Sequence, residues 1–250
     1  MNPVGSENQR ELSVVIPTYN EAENIGPLIL EIERVFQAYG INGEIIVVDD
    51  NSPDGTADVA KKYSERFDNI RVLVREAKSG LGYAYKEGFK AVSGRVIMEM
   101  DADFSHDPSD IPRIFQKCEN GFDVVIGSRY VGGGRIIGWD FARRMVSFVA
   151  NMLVNIFFRL DVKDNTSGFR AYKREVIEKI LPKVKCNSYD FQVEMLLRAK
   201  EQGFTLSEIP IVFRERAHGK SKLGKREFSS FIKMLLNETI LKTSPNKSRL

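Results

Sequence analysis

Cysteine is nearly absent from this 250-residue chain: Cys118 and Cys186 stand far apart and form no CxxC pair. That scarcity excludes a disulfide scaffold and a thiolate zinc site, and it suits two buried thiols in a reducing compartment. Histidine occurs twice, too rarely for a histidine-rich metal centre. The N-terminal residues show no cationic start followed by an apolar core, so no secretory leader is expected. Long hydrophobic runs are also missing. The longest uncharged stretch, Met145 to Phe158, has 14 residues, short of the roughly 18–20 needed to span a bilayer. On that count the chain is not expected to cross a membrane by itself. Charge of one sign is scarce as well: 37 Lys and Arg against 34 Asp and Glu leave a net charge of +3, which argues against nucleic acid as a partner.

The charge is unevenly placed. From Phe213 to Leu250 ten basic residues face three acidic ones, so the preceding 212 residues carry a net −4. A basic end on an acidic body suits an anionic ligand or a membrane surface near the C-terminus. The first half alternates β-branched runs with helical patterns. Strands are predicted at 12–16, 44–48, 70–74, 96–100 and 123–126. Over 21–39, Ile25, Leu28, Ile29, Ile32, Val35 and Phe36 recur at helical spacing. Such alternation predicts an α/β domain with a mostly parallel central sheet covered on both faces. Further on, helices are predicted at 141–160, 175–181, 191–202 and 228–241, with one strand at 206–213. No composition shift divides the chain, so one domain is expected.

In open parallel sheets ligands bind beyond the carboxyl ends of the strands. Four predicted strand ends are polar there: Pro17-Thr18-Tyr19-Asn20-Glu21, Asp49-Asp50-Asn51-Ser52-Pro53-Asp54-Gly55, Asp101-Ala102-Asp103-Phe104-Ser105-His106 and Gly127-Ser128-Arg129-Tyr130. The second is also a good turn and helix-cap sequence. Asp101 and Asp103 leave a strand two residues apart, so both can reach one hard cation. Oxygen donors without cysteine favour Mg²⁺ or Mn²⁺. Arg129, Arg143, Arg144, Arg216, Lys220 and Lys222 are spaced too widely for one solvated face, and they supply the cationic half of a phosphate site. Residues 216–222 have the composition of a closing loop. Lys78-Ser79-Gly80-Leu81-Gly82 invites a dinucleotide reading and suits close backbone approach to a ligand. Tyr85, however, occupies the third glycine position of that fingerprint, which leaves an NAD-dependent Rossmann oxidoreductase as an alternative.

Taken in order, Pro17–Glu21, Val48–Thr56, Gly80–Gly82, Met100–His106, Gly127–Tyr130, Ser167–Arg170 and Gly219–Leu223 resemble the dolichyl-phosphate mannosyltransferase family, inverting glycosyltransferases of A-type fold. The resemblance implies one Rossmann-like glycosyltransferase domain over 11–242; the residues at 1–10 and 243–250 read as flexible tails. It implies that Pro17, Tyr19, Glu21, Val48 and Asp50 hold the nucleobase and ribose. Asp101, Ala102 and Asp103 would hold the metal and donor sugar, with Ser105 as a third ligand where some relatives carry glutamine. Arg129 and Arg143 would serve the sugar or acceptor phosphate, making them catalytic with Asp103. Arg216 and Lys222 would hold the donor diphosphate.

The implied partners are GDP-mannose and a dolichyl or other polyprenyl phosphate. A UDP-sugar donor is the alternative. Peripheral contact with the cytosolic face of a membrane follows, the plasma membrane in a prokaryote or the endoplasmic reticulum in a eukaryote. Some short members of the family also depend on a small membrane subunit. The segments 141–160 and 225–242 carry apolar stripes with cationic edges. They read either as helices lying on a bilayer surface or as helices packed on the sheet.

Overall fold

The computed structural model describes residues 10–78, 80–215 and 225–243. Five parallel strands carry the first half: β1 (Leu12–Thr18), β2 (Gly43–Asp49), β3 (Ile70–Val74), β4 (Val96–Glu99) and β5 (Val124–Ser128). Helices α1 (Ala22–Tyr39), α2 (Thr56–Ser64), α3 (Leu81–Ala91) and α4 (Ile111–Glu119) connect them in turn. Each strand is short and rich in β-branched residues, and β2 is buried along its whole length. Alternate side chains feed two cores. Val15, Ile46 and Val48 enter the one beneath α3, whereas Val14, Ile16, Ile45 and Val47 enter the one beneath α1. The mostly parallel central sheet anticipated from the alternation is the one observed.

The sheet order is β3-β2-β1-β4-β7-β5-β8, where β7 is Arg170–Lys173 and β8 is Leu206–Pro210. The chain runs outward from β1 to β3, then returns to place β4 on the other side of β1. That reversal opens a crevice between the β1 and β4 exits, where α/β sheets bind ligands. Strand β7 lies antiparallel between β4 and β5. Sequence reading missed it because Arg-Ala-Tyr-Lys lacks a strand-like run, and its pairing partners are distant in the chain. The strand expected over 206–213 is two strands. After β8, β9 (Val212–Arg214) leaves the main sheet and pairs with β6 (Arg135–Ile137).

The C-terminal helices are α5 (Phe141–Phe158), α6 (Arg174–Ile180), α7 (Phe191–Glu201) and α8 (Lys225–Thr243). Helix α8 corrects one of the two interfacial expectations. Met234 and Leu235 are buried in the core beside Phe231 and Ile232. Polar ties hold the helix there: Ser230 donates to Asp190 at 2.6 Å, and Arg198 bridges Glu194 and Glu238. The apolar stripe of α8 is therefore a packing face.

Helix α5 is the opposite case. Arg143 and Arg144 lie inside its first turn, so the helix is 18 residues long rather than the 14 of its uncharged run. By length and composition alone it could cross a membrane. Its side-chain bonds say which way it faces. Ser147, Asn151 and Asn155, spaced four apart, turn inward. Tyr130 Oη donates to Ser147 Oγ at 2.8 Å, Asn151 bonds Thr166 and the Asn165 amide, and Asn155 donates to the Val162 carbonyl at 2.8 Å. Val154 and Phe158 join the core, but most of the apolar residues face outward: Phe141 is 78% exposed, Phe148 53% and Ile156 61%.

The Gly80–Gly82 loop serves the chain itself. Gly80 has φ +116°, and a Cβ there would lie 2.5 Å from the Asn187 carbonyl oxygen; Gly82 donates its amide to that same oxygen at 3.0 Å. The close approach expected of a ligand is made by residue 187. Gly80→Ala should therefore lose about 1–3 kcal/mol in urea unfolding, from strain at positive φ plus the clash. Gly203→Ala, at φ +81° with open space around it, should lose less.

Candidate active site

Three of the anticipated strand ends meet at the crevice, and short bonds rather than sequence adjacency hold them together. Thr18 Oγ1 donates to Asp49 at 2.7 Å, the Asn20 amide to Ser52 Oγ at 3.0 Å, the Glu21 amide to Thr56 Oγ1 at 2.9 Å and the Ala22 amide to Asp54 at 3.1 Å. The residues of Ser52-Pro-Asp-Gly-Thr56 thus fasten the β2 exit to the β1 exit. Burial raises the Asp54 pKa, but hydrogen bonds from Thr56 and Ala22 bring it below the usual aspartate value.

Pro17, Tyr19, Glu21 and Asp50 line this wall. Lys78 Nζ sits 4.0 Å from the centroid of the Tyr19 ring, and Arg75 Nη1 donates to Asp50 Oδ1 at 2.6 Å. Val48 departs from its expected role as a nucleobase contact: its side chain is fully buried in the core beneath α3. Only its backbone can face a ligand, because alternate residues of a strand point to opposite faces.

At the β4 exit Asp101 is partly exposed, while Ala102 and Asp103 are buried. Asp103 Oδ1 accepts from the Ser105 amide at 3.0 Å, and Phe104 between them has φ +59°. A bulky residue in that region marks a strained turn held by its surroundings. His106 lies beneath the loop, its ring 4.9 Å from that of Phe169, and Nδ1 accepts from the Asp101 amide at 3.4 Å. Burial pulls its pKa down to about 4 against the opposing pull of Asp103, so the imidazole is neutral at pH 7.

The donor set fits a divalent ion. It comprises two carboxylates and the Ser105 hydroxyl, which is buried without a hydrogen-bond partner. Among the described residues no three His, Cys, Asp or Glu side chains cluster to cage a metal by themselves. That leaves coordination positions for phosphate and water, as a hard cation at a phosphoryl site needs.

At the β5 exit Arg129 is buried against fully buried Asp164, with Nε donating at 2.7 Å and Nη2 at 2.6 Å. Nη2 also donates to Thr166 at 2.7 Å. Trp139 and Phe213 lie within 5.5 Å of the guanidinium. Much of Arg129's donor capacity is thus spent inside the protein, which sequence reading did not foresee. The signal was present in Asp164-Asn165-Thr166, a polar triplet between apolar segments. Arg143 pairs with Glu215 at 3.1 Å and rests on the Trp139 ring at 4.1 Å. Arg216, Lys220 and Lys222 lie outside the described residues. Beside Arg129 opens a cavity of about 530 Å³, walled by Arg135, Arg144, Tyr130, Met145 and Phe148.

Two further buried acidic residues have structural partners. Glu194 accepts the Lys185 and Cys186 amides and pairs with Arg198, while Asp190 accepts from Ser188 and Ser230. Glu99 was missed. It is fully buried in β4 near Arg170, Tyr172 and Gln192, and desolvation pushes its pKa up to about 7 against the pull of Arg170. A lone glutamate within Val96-Ile-Met-Glu-Met100 was the available clue.

A β1–β4 crevice walled by carboxylates, with a strained Asp-x-Asp turn and an arginine-lined cavity alongside, defines a nucleotide-sugar transferase class of site on an A-type sheet. Residues 13–181 match the model of glycosyl transferase family 2, and this chain belongs to that family. It is 44% identical over 221 residues to the polyprenol monophosphomannose synthase of Mycolicibacterium smegmatis, covering 86% of this chain and 82% of that one. It is 41% identical over 221 residues to the dolichol-phosphate mannosyltransferase of Pyrococcus furiosus, covering 87% of this chain. The match spans 61% of the length of the Pyrococcus protein. The fold is shared with glucosyl-3-phosphoglycerate synthase of Mycobacterium tuberculosis, in complex with Mn²⁺, uridine diphosphate and glucosyl-3-phosphoglycerate. The TM-score is 0.69 at 22% identity, covering 93% of this chain and 79% of that one.

The Arg129–Asp164 pair gives a stability prediction. Burial raises the Asp164 pKa, and Arg129 more than reverses this, so it lies below the ordinary aspartate value. The stabilisation is therefore present above that ordinary value and is lost as pH falls through the lower folded-state pKa. Asp164→Asn leaves a buried guanidinium without its counter-charge, and chemical denaturation at pH 7 should show a loss of about 3–5 kcal/mol. The difference between variant and wild type should narrow on acidification below about pH 4.

Proposed function

We propose that this chain transfers mannose from GDP-mannose to dolichyl or another polyprenyl phosphate, with inversion, giving a β-linked mannosyl phosphate lipid and GDP. The observation that carries this reading is the cavity beside Arg129. Arginines line one part of it, and Met145 and Phe148 of the outward-facing apolar helix line another. A phosphate joined to a hydrocarbon chain has that chemistry. The names of the two relatives described above support a mannosyl group and a dolichol or polyprenol phosphate.

A phosphate monoester has a second pKa of about 6, so the acceptor is largely dianionic at neutral pH. It needs positioning rather than a base, in keeping with the structural bonds already made by Asp190 and Glu194. An acceptor oxygen attacks the anomeric carbon, the bond from that carbon to the diphosphate breaks, and GDP departs with the electron pair. Asp101, Asp103 and Ser105 are the residues that would hold Mg²⁺ or Mn²⁺. When bound, the ion supplies positive charge where negative charge grows on the leaving diphosphate.

Pro17, Tyr19, Glu21, Asp50 and the Val48 backbone hold the nucleoside, and Ala102 lies against the donor sugar. Arg129, set firmly by Asp164, and Arg143 present charge toward the reacting phosphates. Arg216 and Lys222 serve the diphosphate side. The outer face of α5, with Arg143, Arg144 and Arg159 at its ends, rests on the cytosolic surface of a membrane that carries the acceptor. A small membrane subunit is a further candidate for the same face.

Product release with GDP-mannose, UDP-glucose and UDP-N-acetylglucosamine, each paired with a polyprenyl phosphate, tests the reaction. Turnover with GDP-mannose is expected, and turnover confined to a UDP-sugar refutes the donor. EDTA should abolish activity and Mg²⁺ or Mn²⁺ restore it. Asp103→Asn, nearly constant in volume, should fold normally and lose at least about a hundredfold in kcat. Undiminished activity of that variant in chelator would sink the metal role. Binding to anionic liposomes should weaken with salt and with Phe148→Asp, while the melting temperature stays within a few degrees. If the wild-type protein ignores such liposomes at low salt, peripheral contact through α5 alone is wrong.

A further inference from the structure

The nucleoside half of the crevice has a wall that the β1, β2 and β4 exits do not supply. Strand β3 ends at Val74, and the chain turns back across the mouth of β2. The Arg75 amide donates to the Asp49 carbonyl at 2.8 Å, and Asn51 Nδ2 donates to the Glu76 carbonyl at 3.1 Å. This anchored turn delivers two cations onto two residues of the nucleoside wall. Lys78 lies over Tyr19. Arg75 meets Asp50 at 2.6 Å, with the two side chains only 14% and 7% exposed, and its guanidinium packs 5.8 Å from the Tyr83 ring of α3.

We propose that Arg75 is a positioning residue for the donor nucleotide, acting through Asp50; this rests on the reading that Asp50 binds the nucleoside. A carboxylate so nearly buried needs a counter-charge, or it swings to water or takes up a proton. A guanidinium anchored at its own backbone and packed on an aromatic face fixes the carboxylate's direction. The pair also cancels the negative charge of Asp50, so the site receives the nucleoside of an anionic diphosphate without repelling it. Arg75 does not touch the reacting atoms, so its removal weakens donor binding and leaves the chemical step and the lipid acceptor almost untouched.

Calorimetric titration of the full-length protein with GDP and Mn²⁺, together with steady-state kinetics, tests this. Arg75→Ala should weaken GDP binding and raise the donor KM about tenfold, with kcat and acceptor KM within about twofold of wild type. Arg75→Lys should recover part of the loss, because a single ion pair can be re-formed. It also carries the test if the alanine variant does not fold. Asp50→Asn should weaken GDP binding as well, and the double variant should bind no more than about twofold worse than the weaker single variant, since the two residues act as one unit. Unchanged GDP affinity in both Arg75 variants while Asp50→Asn weakens it overturns the role of Arg75 alone. Unchanged affinity in Asp50→Asn overturns the placement of Asp50 in the donor site. Fully additive losses overturn the coupling, and equal rises in donor and acceptor KM would mark a general structural defect instead.

Discussion

The buried ion pair between Arg129 and Asp164 holds together the β5 exit and the cavity that opens beside it. Arg129 leaves the sheet at the end of β5, and Asp164 stands just ahead of the segment that becomes β7. Their three bonds, one from the Arg129 backbone amide, clamp two stretches of chain 35 residues apart. Thr166 extends the clamp from Arg129 to Asn151 in the middle of α5. The cavity wall, the seating of the helix and the entry of β7 between β4 and β5 all depend on this corner. Removing two charges from water is expensive, and a bidentate guanidinium–carboxylate geometry is among the few arrangements that offset the cost.

Helix α5 shows how a small number of polar residues decides orientation. Its most numerous residues are apolar, and a helix of that composition would ordinarily turn them inward. Ser147, Asn151 and Asn155 prevent this by meeting Tyr130, Thr166, Asn165 and Val162 along one stripe. Buried amides left unpaired would be costly, so the polar stripe faces the domain with Val154 and Phe158 beside it, and most of the hydrocarbon faces out. That exposed apolar surface is continuous with the cavity beside Arg129, which Met145 and Phe148 of the helix wall together with arginines.

The β1, β2 and β4 exits are organised differently. Here short hydrogen bonds from the Asn20, Glu21 and Ala22 amides to Ser52, Thr56 and Asp54 stitch two strand exits, while the β4 exit stores strain at Phe104 beside neutral His106.

By itself the sequence determined the alternating strands and helices, the parallel first half of the sheet, and which strand ends carry polar side chains. Those features are local: β-branched runs, helical spacing and the Asp-x-Asp turn are written within a few residues of each other. Pairing across the chain lay beyond it. Strand β7 is four residues with two cations, legible only once β4 and β5 flank it. The direction of Val48 depended on which face of β2 the core took, and the partner of Arg129 lay 35 residues away. Two apolar stripes of similar appearance parted company because α8 meets Asp190 and Arg198, whereas α5 meets Tyr130, Thr166 and the backbone around Val162. Composition states how much apolar surface a helix has; only the tertiary structure decides whether its polar residues find partners inside, and therefore which side of the helix faces water or lipid.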